Sequence, residues 1–247
     1  MAQEYGFLVK VFSQEKYRDD FLDGKLYMNP IKFFKDFEEE ATNNIGDKNE
    51  AITAWLQPEE IRITFRPPGM EPFTIPGKDI AAPVAVRANA HDNYNVLCLT
   101  LLHSHGIDIS EPVTDDEMEL LKGYFKLPDE AANLGEYAVV IPQLPSFLAQ
   151  VQVAAQKLID SQQAASFMAD KVKYYDKGKS LSLENGEEAV FHKQSEYEHQ
   201  SEYRLCLDRR TVNPEPFVFD IGDIRNIAFP CLTTEVNQKF NLDIKKI

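Results

Sequence analysis

The chain has 247 residues, 43% of them hydrophobic and 11% aromatic, with 40 acidic against 26 basic side chains and a formal net charge of −14. That composition excludes bulk disorder, and a field of that sign repels nucleic-acid backbones, which normally meet a basic stripe, so direct nucleic-acid binding is not expected. No window approaches 18 uninterrupted apolar residues and the N-terminus lacks a basic-then-apolar leader pattern, so neither a membrane span nor a secretory signal is expected. Cys98, Cys206 and Cys231 are odd in number, far apart and set in apolar runs, the pattern of buried thiols in a reducing, cytoplasmic setting.

In chain order, "YGFLVKVF" (5–12) is nearly continuous in apolar residues, which predicts a central strand. "SQEKYRDDFLDG" offers Ser13 as an N-cap, Tyr17 and Phe21 one turn apart, and Gly24 as the stop of a short helix. "KLYMN" is a short strand. Asn29 and Pro30 read as a cap followed by proline at the first helical position, so "PIKFFKDFEEE" is a helix with Phe33, Phe34 and Phe37 inward. "NNIGD" is turn chemistry in the polar loop after it. "EIRITFRPPGMEPFTI" (60–75) alternates at Ile61, Ile63 and Phe65 around "RPPG", the pattern of a hairpin. "NYNVLCLTLL" (93–102) is a buried strand, "HSHGIDISEPV" a loop, and Thr114 with Glu117 has capping-box spacing ahead of a helix.

"GEYAVVI" (135–141) is a further strand, and the longest helix runs from Ser146 as cap through Phe167. "KVKYYD" (171–176) is a strand, "KGKSLSLENGEE" an exposed connection and "AVFHKQSEYEHQ" partly helical. "SEYRLCLD", "EPFVFDIG" and "IRNIAFP" read as a closing antiparallel meander, and "TTEVNQKFNLDIKKI" as a short helix with a tail. Strands outnumber long helices and follow no βαβ rhythm. The expectation is a single α+β domain over 1–247, with a mixed, mainly antiparallel sheet and packed helices.

No G-x-G-x-x-G, G-x-x-x-x-G-K-[ST] or G-x-S-x-G occurs, so the usual phosphate loops and the nucleophile elbow are missing. His103, His105 and Asp108 in "HSHGID" lack the usual zinc spacings, and the reading preferred there is a polar loop after a buried strand, with no metal. No cofactor is assigned.

Two polar clusters remain. The first, "GKLYMNP…GDKNEA", offers Lys25, Tyr27, Asn29, Asp47, Lys48 and Glu50; the second, "FHKQSEYEHQSEYRLCLD" (191–208), offers His192, Lys193, Tyr197, Glu202 and Arg204. Period 2 puts Glu202 and Arg204 on one face of a strand, opposite Tyr203 and Leu205. They are either an exposed pair worth about 0.2–1 kcal/mol or the floor of a site. In a site, Arg204 would hold a phosphate or carboxylate, Glu202 would orient a hydroxyl or stabilise a cationic transition state, and Lys10 and Lys193 would add positive charge. Tyr27 and Tyr197 would stack on a flat ring.

These stretches resemble a widespread set of bacterial and phage proteins with "G-x-L-Y-x-N/S" and "D-x-x-E" near the N-terminus and "F-x-K-x…Y-x-x-Q/E-x-E-Y/W-R" near the C-terminus. The motif residues fall on Gly24, Leu26, Tyr27, Asn29, Asp47, Glu50, Phe191, Lys193, Tyr197, Gln200, Glu202, Tyr203 and Arg204, while about 60–170 carries no recognised motif. The resemblance implies a role in conflict between phages and their hosts. A more distant similarity is to ADP-ribosyltransferase-like folds, and it would make Glu202 the catalytic glutamate acting on NAD. Lys10 would then stand on the first strand where those enzymes carry Arg or His.

Two functional readings follow. The preferred one is binding or processing of a nucleotide-derived anion such as NAD or ADP-ribose. The other is a non-enzymatic acidic interaction or inhibitor protein that meets a basic protein partner through the "DFEEE" run, with Glu38, Glu39 and Glu40.

Overall fold

The architecture follows from one long apolar strand that other strands flank on both edges. The computed structural model describes residues 5–40, 47–110 and 112–239, with the backbone alone for 37–40. The strands are β1 (Gly6–Phe12), β2 (Lys25–Pro30), β3 (Ile52–Leu56), β4 (Arg62–Phe65), β5 (Phe73–Pro76), β6 (Val84–Arg87), β7 (Asn95–His103), β8 (Tyr137–Ile141), β9 (Ser166–Lys171), β10 (Lys173–Tyr175), β11 (Leu181–Ser182), β12 (His192–Gln194), β13 (Glu202–Asp208), β14 (Phe217–Asp220) and β15 (Phe229–Leu232). The helices are α1 (Glu15–Leu22), α2 (Ile31–Glu40), α3 (Asp115–Tyr124), α4 (Asp129–Ala132), α5 (Leu144–Asp160) and α6 (Thr233–Lys239).

The main sheet has the order β14-β2-β7-β1-β8-β15, with β13 also paired to β7 and β9 paired to β13. All its pairs are antiparallel, so the fold is α+β with a mainly antiparallel sheet and packed helices. Strand alternation sorts the side chains of the sheet. Leu97, Leu99 and Leu101 of β7 and Tyr203, Leu205 and Leu207 of β13 enter the largest core, with Phe147, Val151 and Ala155 of α5. On the opposite face lie two smaller apolar clusters, one built on Val9, Leu102, Leu121 and Val140, the other on Ile31, Val96, Val190 and Cys206. Glu202 and Arg204, alternating with the core residues of β13, also belong to that opposite face.

One edge of β7 is covered by β13 from Asn95 to Thr100. On its other edge β2 pairs at Asn95 and Val96, and β1 pairs from Thr100 to His103. Among the described residues no strand covers Leu97–Leu99 on that edge, because β1 leaves β7 after Val9 and continues to Phe12 along β8. The sheet is therefore split at its centre.

Several boundaries differ from the sequence reading. Gln14, not Ser13, stands at the N-cap of α1. Pro30 is the last residue of β2 rather than the first of α2, since Asn29 and Pro30 ladder onto β7. Phe33 is exposed, Phe34 packs against the cluster around Ile31, and the Phe37 side chain lies outside the described residues. Most of the "NNIGD" turn, the side chains of Glu38–Glu40 and the tail 240–247 also lie outside them. The long helix starts at Leu144, with Pro145 in its first turn and Gln143 at the cap, and ends at Asp160, so Phe167 belongs to β9. Residues 186–200 form two 3-10 turns around β12. The last three strands are not a meander: β13 joins β7 and β9, β14 joins β2, and β15 joins β8. The 60–75 hairpin, the capping box at Thr114 and the strands of "GEYAVVI" and "NYNVLCLTLL" follow the sequence pattern.

Candidate functional site

The expected pair Glu202 and Arg204 is not on a solvated sheet surface. Both are buried on the face between the two smaller apolar clusters, and there they close a ring of four charges with Glu50 and Lys193. Arg204 donates both terminal nitrogens to Glu50, Nη1 to Oε2 and Nη2 to Oε1, each at 2.8 Å. Its Nε donates to Glu202 Oε2 at 2.8 Å, and Nη1 also donates to the Val190 carbonyl at 2.7 Å. Lys193 Nζ donates to Glu202 Oε1 at 2.7 Å and to Gln200 Oε1 at 2.8 Å, lies 3.3 Å from Glu50 Oε1, and sits 4.9 Å from the centre of the Tyr197 ring.

Local turns deliver these groups. Asp47 accepts the amide of Asn49 through Oδ1 at 2.7 Å, and its carbonyl accepts the amide of Glu50 at 2.9 Å, a turn that aims Glu50 at Arg204. Ser201, in the left-handed region at φ 43°, ends the preceding 3-10 turn and starts β13. The Glu202 amide donates to the Tyr174 hydroxyl at 2.9 Å.

Two positive and two negative charges balance within the ring, and each carboxylate oxygen meets a cationic donor. Burial alone would raise the Glu202 pKa, but the charges of Arg204 and Lys193 outweigh it and hold the carboxyl well below its usual range. Burial would likewise lower Lys193, yet Glu202 and Glu50 raise it above the ordinary lysine value. Glu202 is thus a fixed negative charge at neutral pH, unsuited to giving or taking a proton. The fork of Arg204, read from sequence as a holder of a ligand anion, is occupied by Glu50, and Tyr197 is buried beneath Lys193.

Lys10 differs from every other charged group around this face. Its Nζ donates to the Cys98 carbonyl at 2.8 Å, so the ammonium occupies the split in the sheet and satisfies a carbonyl that no strand there reaches. Among the described residues no carboxylate lies within 4 Å of it. Burial lowers its pKa below the ordinary lysine value, and Cys98 and Glu202 offset that only in part. Burial also pushes the Cys98 thiol up to about 12, with Glu202 adding to the shift, which leaves this thiol inert as a nucleophile.

Lys10 lines two cavities. The smaller, about 140 Å³, is bounded by Cys98, Thr100, Lys193, Gln200, Glu202 and Arg204. The larger, about 710 Å³, is bounded by Lys16, Tyr17, Asp20, Lys25, Tyr27 and Asn29 together with the floor of the split at Leu97. Its size lies in the range of small-molecule sites. Its lining carries three lysines against one aspartate, in a chain whose net charge is −14. Tyr17 is 49% exposed and Tyr27 57% exposed, so both present ring surface to incoming molecules.

The two sequence clusters therefore divide by role. Glu50, Lys193, Tyr197, Glu202 and Arg204 come together with Asp47 supporting them, while Lys10, Tyr27 and Asn29 share the wall of the larger cavity. Sequence reasoning did not single out Lys16 or Tyr17 for the site. Their i, i+4 spacing to Asp20 and Phe21 reads as ordinary helix patterning, and only the split puts them opposite β2. His103 and His105 stack on each other with centroids 3.9 Å apart, and among the described residues no group of three or more metal-ligating side chains is found. No described helix is long and apolar enough to cross a membrane. In comparisons with known proteins, no family model, curated protein or solved structure matches this chain.

Proposed function

We propose that the protein binds a nucleotide-derived anion, with NAD and ADP-ribose as reference compounds, in the larger cavity beside the split sheet. The observation that carries this reading is Lys10: a half-buried lysine in the lining of the cavity, whose ammonium has a backbone carbonyl as its hydrogen-bond partner and no carboxylate within 4 Å among the described residues. An anion entering there gains a charge-assisted hydrogen bond in a weakly screened setting. Lys16, bridged to Asp20, and Lys25, bridged to Asp20 and Asp23, stand at the more exposed end as cationic donors that an anion could recruit from those bridges, and Tyr17 and Tyr27 offer faces for a base or nicotinamide ring.

The buried ring of Glu50, Lys193, Glu202 and Arg204 supports the site from behind. It fixes the end of β13 and presents the constant charge of Glu202 to the smaller cavity. In this reading Glu202 holds Lys193 and Arg204 in place behind Lys10, touches no ligand in the larger cavity and transfers no proton. The test is calorimetric titration with NAD and ADP-ribose, followed by chromatographic recovery of each ligand. Saturable heat that is lost in Lys10→Met supports the site, and a chemically altered ligand would add catalysis. Absence of heat with both compounds, or equal affinity in Lys10→Met, overturns it.

A further inference from the structure

We infer that Lys10 is a carbonyl-reactive amine, and that the larger cavity accepts an anionic, ring-bearing aldehyde which condenses with it. This rests on the binding reading above, since Lys16, Lys25 and the tyrosines of the same cavity would hold the ligand, but Lys10 changes from cationic donor to nucleophile and a covalent step is added. An amine condenses with an aldehyde only as the neutral base and only when reachable. Both conditions are set by surroundings, since a lysine beside a carboxylate keeps its proton and a lysine sealed in the core meets no ligand.

Lys193 illustrates the first failure: its ammonium contacts Glu202 at 2.7 Å and Glu50 at 3.3 Å. Lys16 and Lys25 show the same failure at the surface, each paired with Asp20. Lys10 escapes both. The Cys98 carbonyl accepts one of its hydrogens without holding it in the charged state as strongly as a carboxylate would, and its side chain lines both cavities. Burial favours the uncharged amine further. The titratable and charged groups that share its cavities are Cys98, Glu130, Lys193, His199, Glu202 and Arg204 on the side of the smaller, and Lys16, Tyr17, Asp20, Lys25 and Tyr27 on the side of the larger.

The step balances without any further reagent. Lys10 loses its proton to water, and its nitrogen lone pair attacks the aldehyde carbon. A C–N bond forms while the carbonyl π bond opens onto oxygen, which takes a proton from water as the nitrogen gives one up to the hydroxide left behind, so that a neutral carbinolamine results. The carbinolamine then expels water as the C=N bond forms, so that amine and aldehyde give imine and water. Lys16 and Lys25 would hold the anionic group, and Tyr27 or Tyr17 the ring.

The probe is pyridoxal 5′-phosphate at stoichiometric concentration, reduced with borohydride and followed by peptide mapping. The reduction adds hydride to the imine carbon and leaves a stable secondary amine. The expected result is a label on the peptide carrying Lys10 in preference to the exposed lysines, and no label on that peptide in Lys10→Arg. That variant keeps a cationic donor for the Cys98 carbonyl, so that circular dichroism should show an unaltered fold, and binding of pyridoxine 5′-phosphate, which has no aldehyde, is measured on the unaltered chain. A label spread over surface lysines with none at Lys10 overturns the inference. If pyridoxine 5′-phosphate or either nucleotide still binds in that case, the anion site stands and the covalent step alone is refuted; if none of the three binds, both fall.

Discussion

Replacing Arg204 by Met tests how the buried ring is held. The substitution removes four hydrogen bonds, two to Glu50, one to Glu202 and one to the Val190 carbonyl. It leaves two buried carboxylates facing the single charge of Lys193, so the ring passes from neutral to a net charge of −1. Breaking a buried pair by removing one partner costs about 3–5 kcal/mol, a large part of the roughly 5–15 kcal/mol that holds most domains folded. At about 2–4 °C per kcal/mol for a chain of this size, Tm should fall by about 6–20 °C. Glu50→Leu should cost a similar amount for the opposite reason, because it leaves two cations with one carboxylate. The double variant restores neutrality with Glu202 and Lys193 still paired, so its loss should be smaller than the sum of the singles by about 0.5–3 kcal/mol. Urea denaturation with an unchanged m-value is the measurement. Single losses below about 1 kcal/mol, or strictly additive losses, would refute the description of these four groups as one coupled, desolvated network.

Other outcomes follow from the same geometry. The folded Glu202 pKa is lowered from 4.5, so its contribution to stability is fully present above that pH and is lost as pH falls toward the folded value; Glu202→Gln should therefore flatten the acid limb of the stability curve, measured by urea midpoints across pH. Tyr27→Ala should leave Tm unchanged, since the ring is more than half exposed, and should weaken ligand binding by about 1–3 kcal/mol if it carries the stacking. Raising ionic strength should weaken ligand binding in titrations, because Lys16 and Lys25 sit at an open mouth where salt screens them. Gly24→Ala should destabilise the fold strongly in thermal melts: Gly24 has φ +85°, and an added Cβ would lie 1.9 Å from the Gly222 carbonyl oxygen.

Much of the fold was legible wherever a segment's periodicity met a single environment. The strands at 5–12 and 93–102, the 60–75 hairpin and the Thr114 capping box all carry local signals that tertiary packing did not override. Boundaries failed where packing competed with local chemistry. Proline at position 30 reads as a helix start, but its missing N–H costs nothing at the end of a strand, and the ladder to Asn95 takes it. The three closing strands read as a meander because sequence proximity favours pairing of neighbours, whereas each fills a different edge of a sheet already laid down by earlier strands. At the site, period 2 placed Glu202 and Arg204 on one face and the two polar clusters supplied the partners. Their mutual saturation was not legible, because it depends on a contact between positions 50 and 204. The split beside Cys98 was also hidden, since nothing in "YGFLVKVF" marks the residue after which β1 leaves β7.

The most direct test of the anion site is the titration of NAD and ADP-ribose into the protein and into its Lys10→Met variant, with circular dichroism to verify that both are folded. Saturable binding to the unaltered chain, weakened about 10- to 150-fold by loss of one charge-assisted hydrogen bond, is the expected result. Equal binding to a folded Lys10→Met variant, or no heat from either ligand with the unaltered protein, would contradict it and leave Lys10 as a strut that satisfies the Cys98 carbonyl.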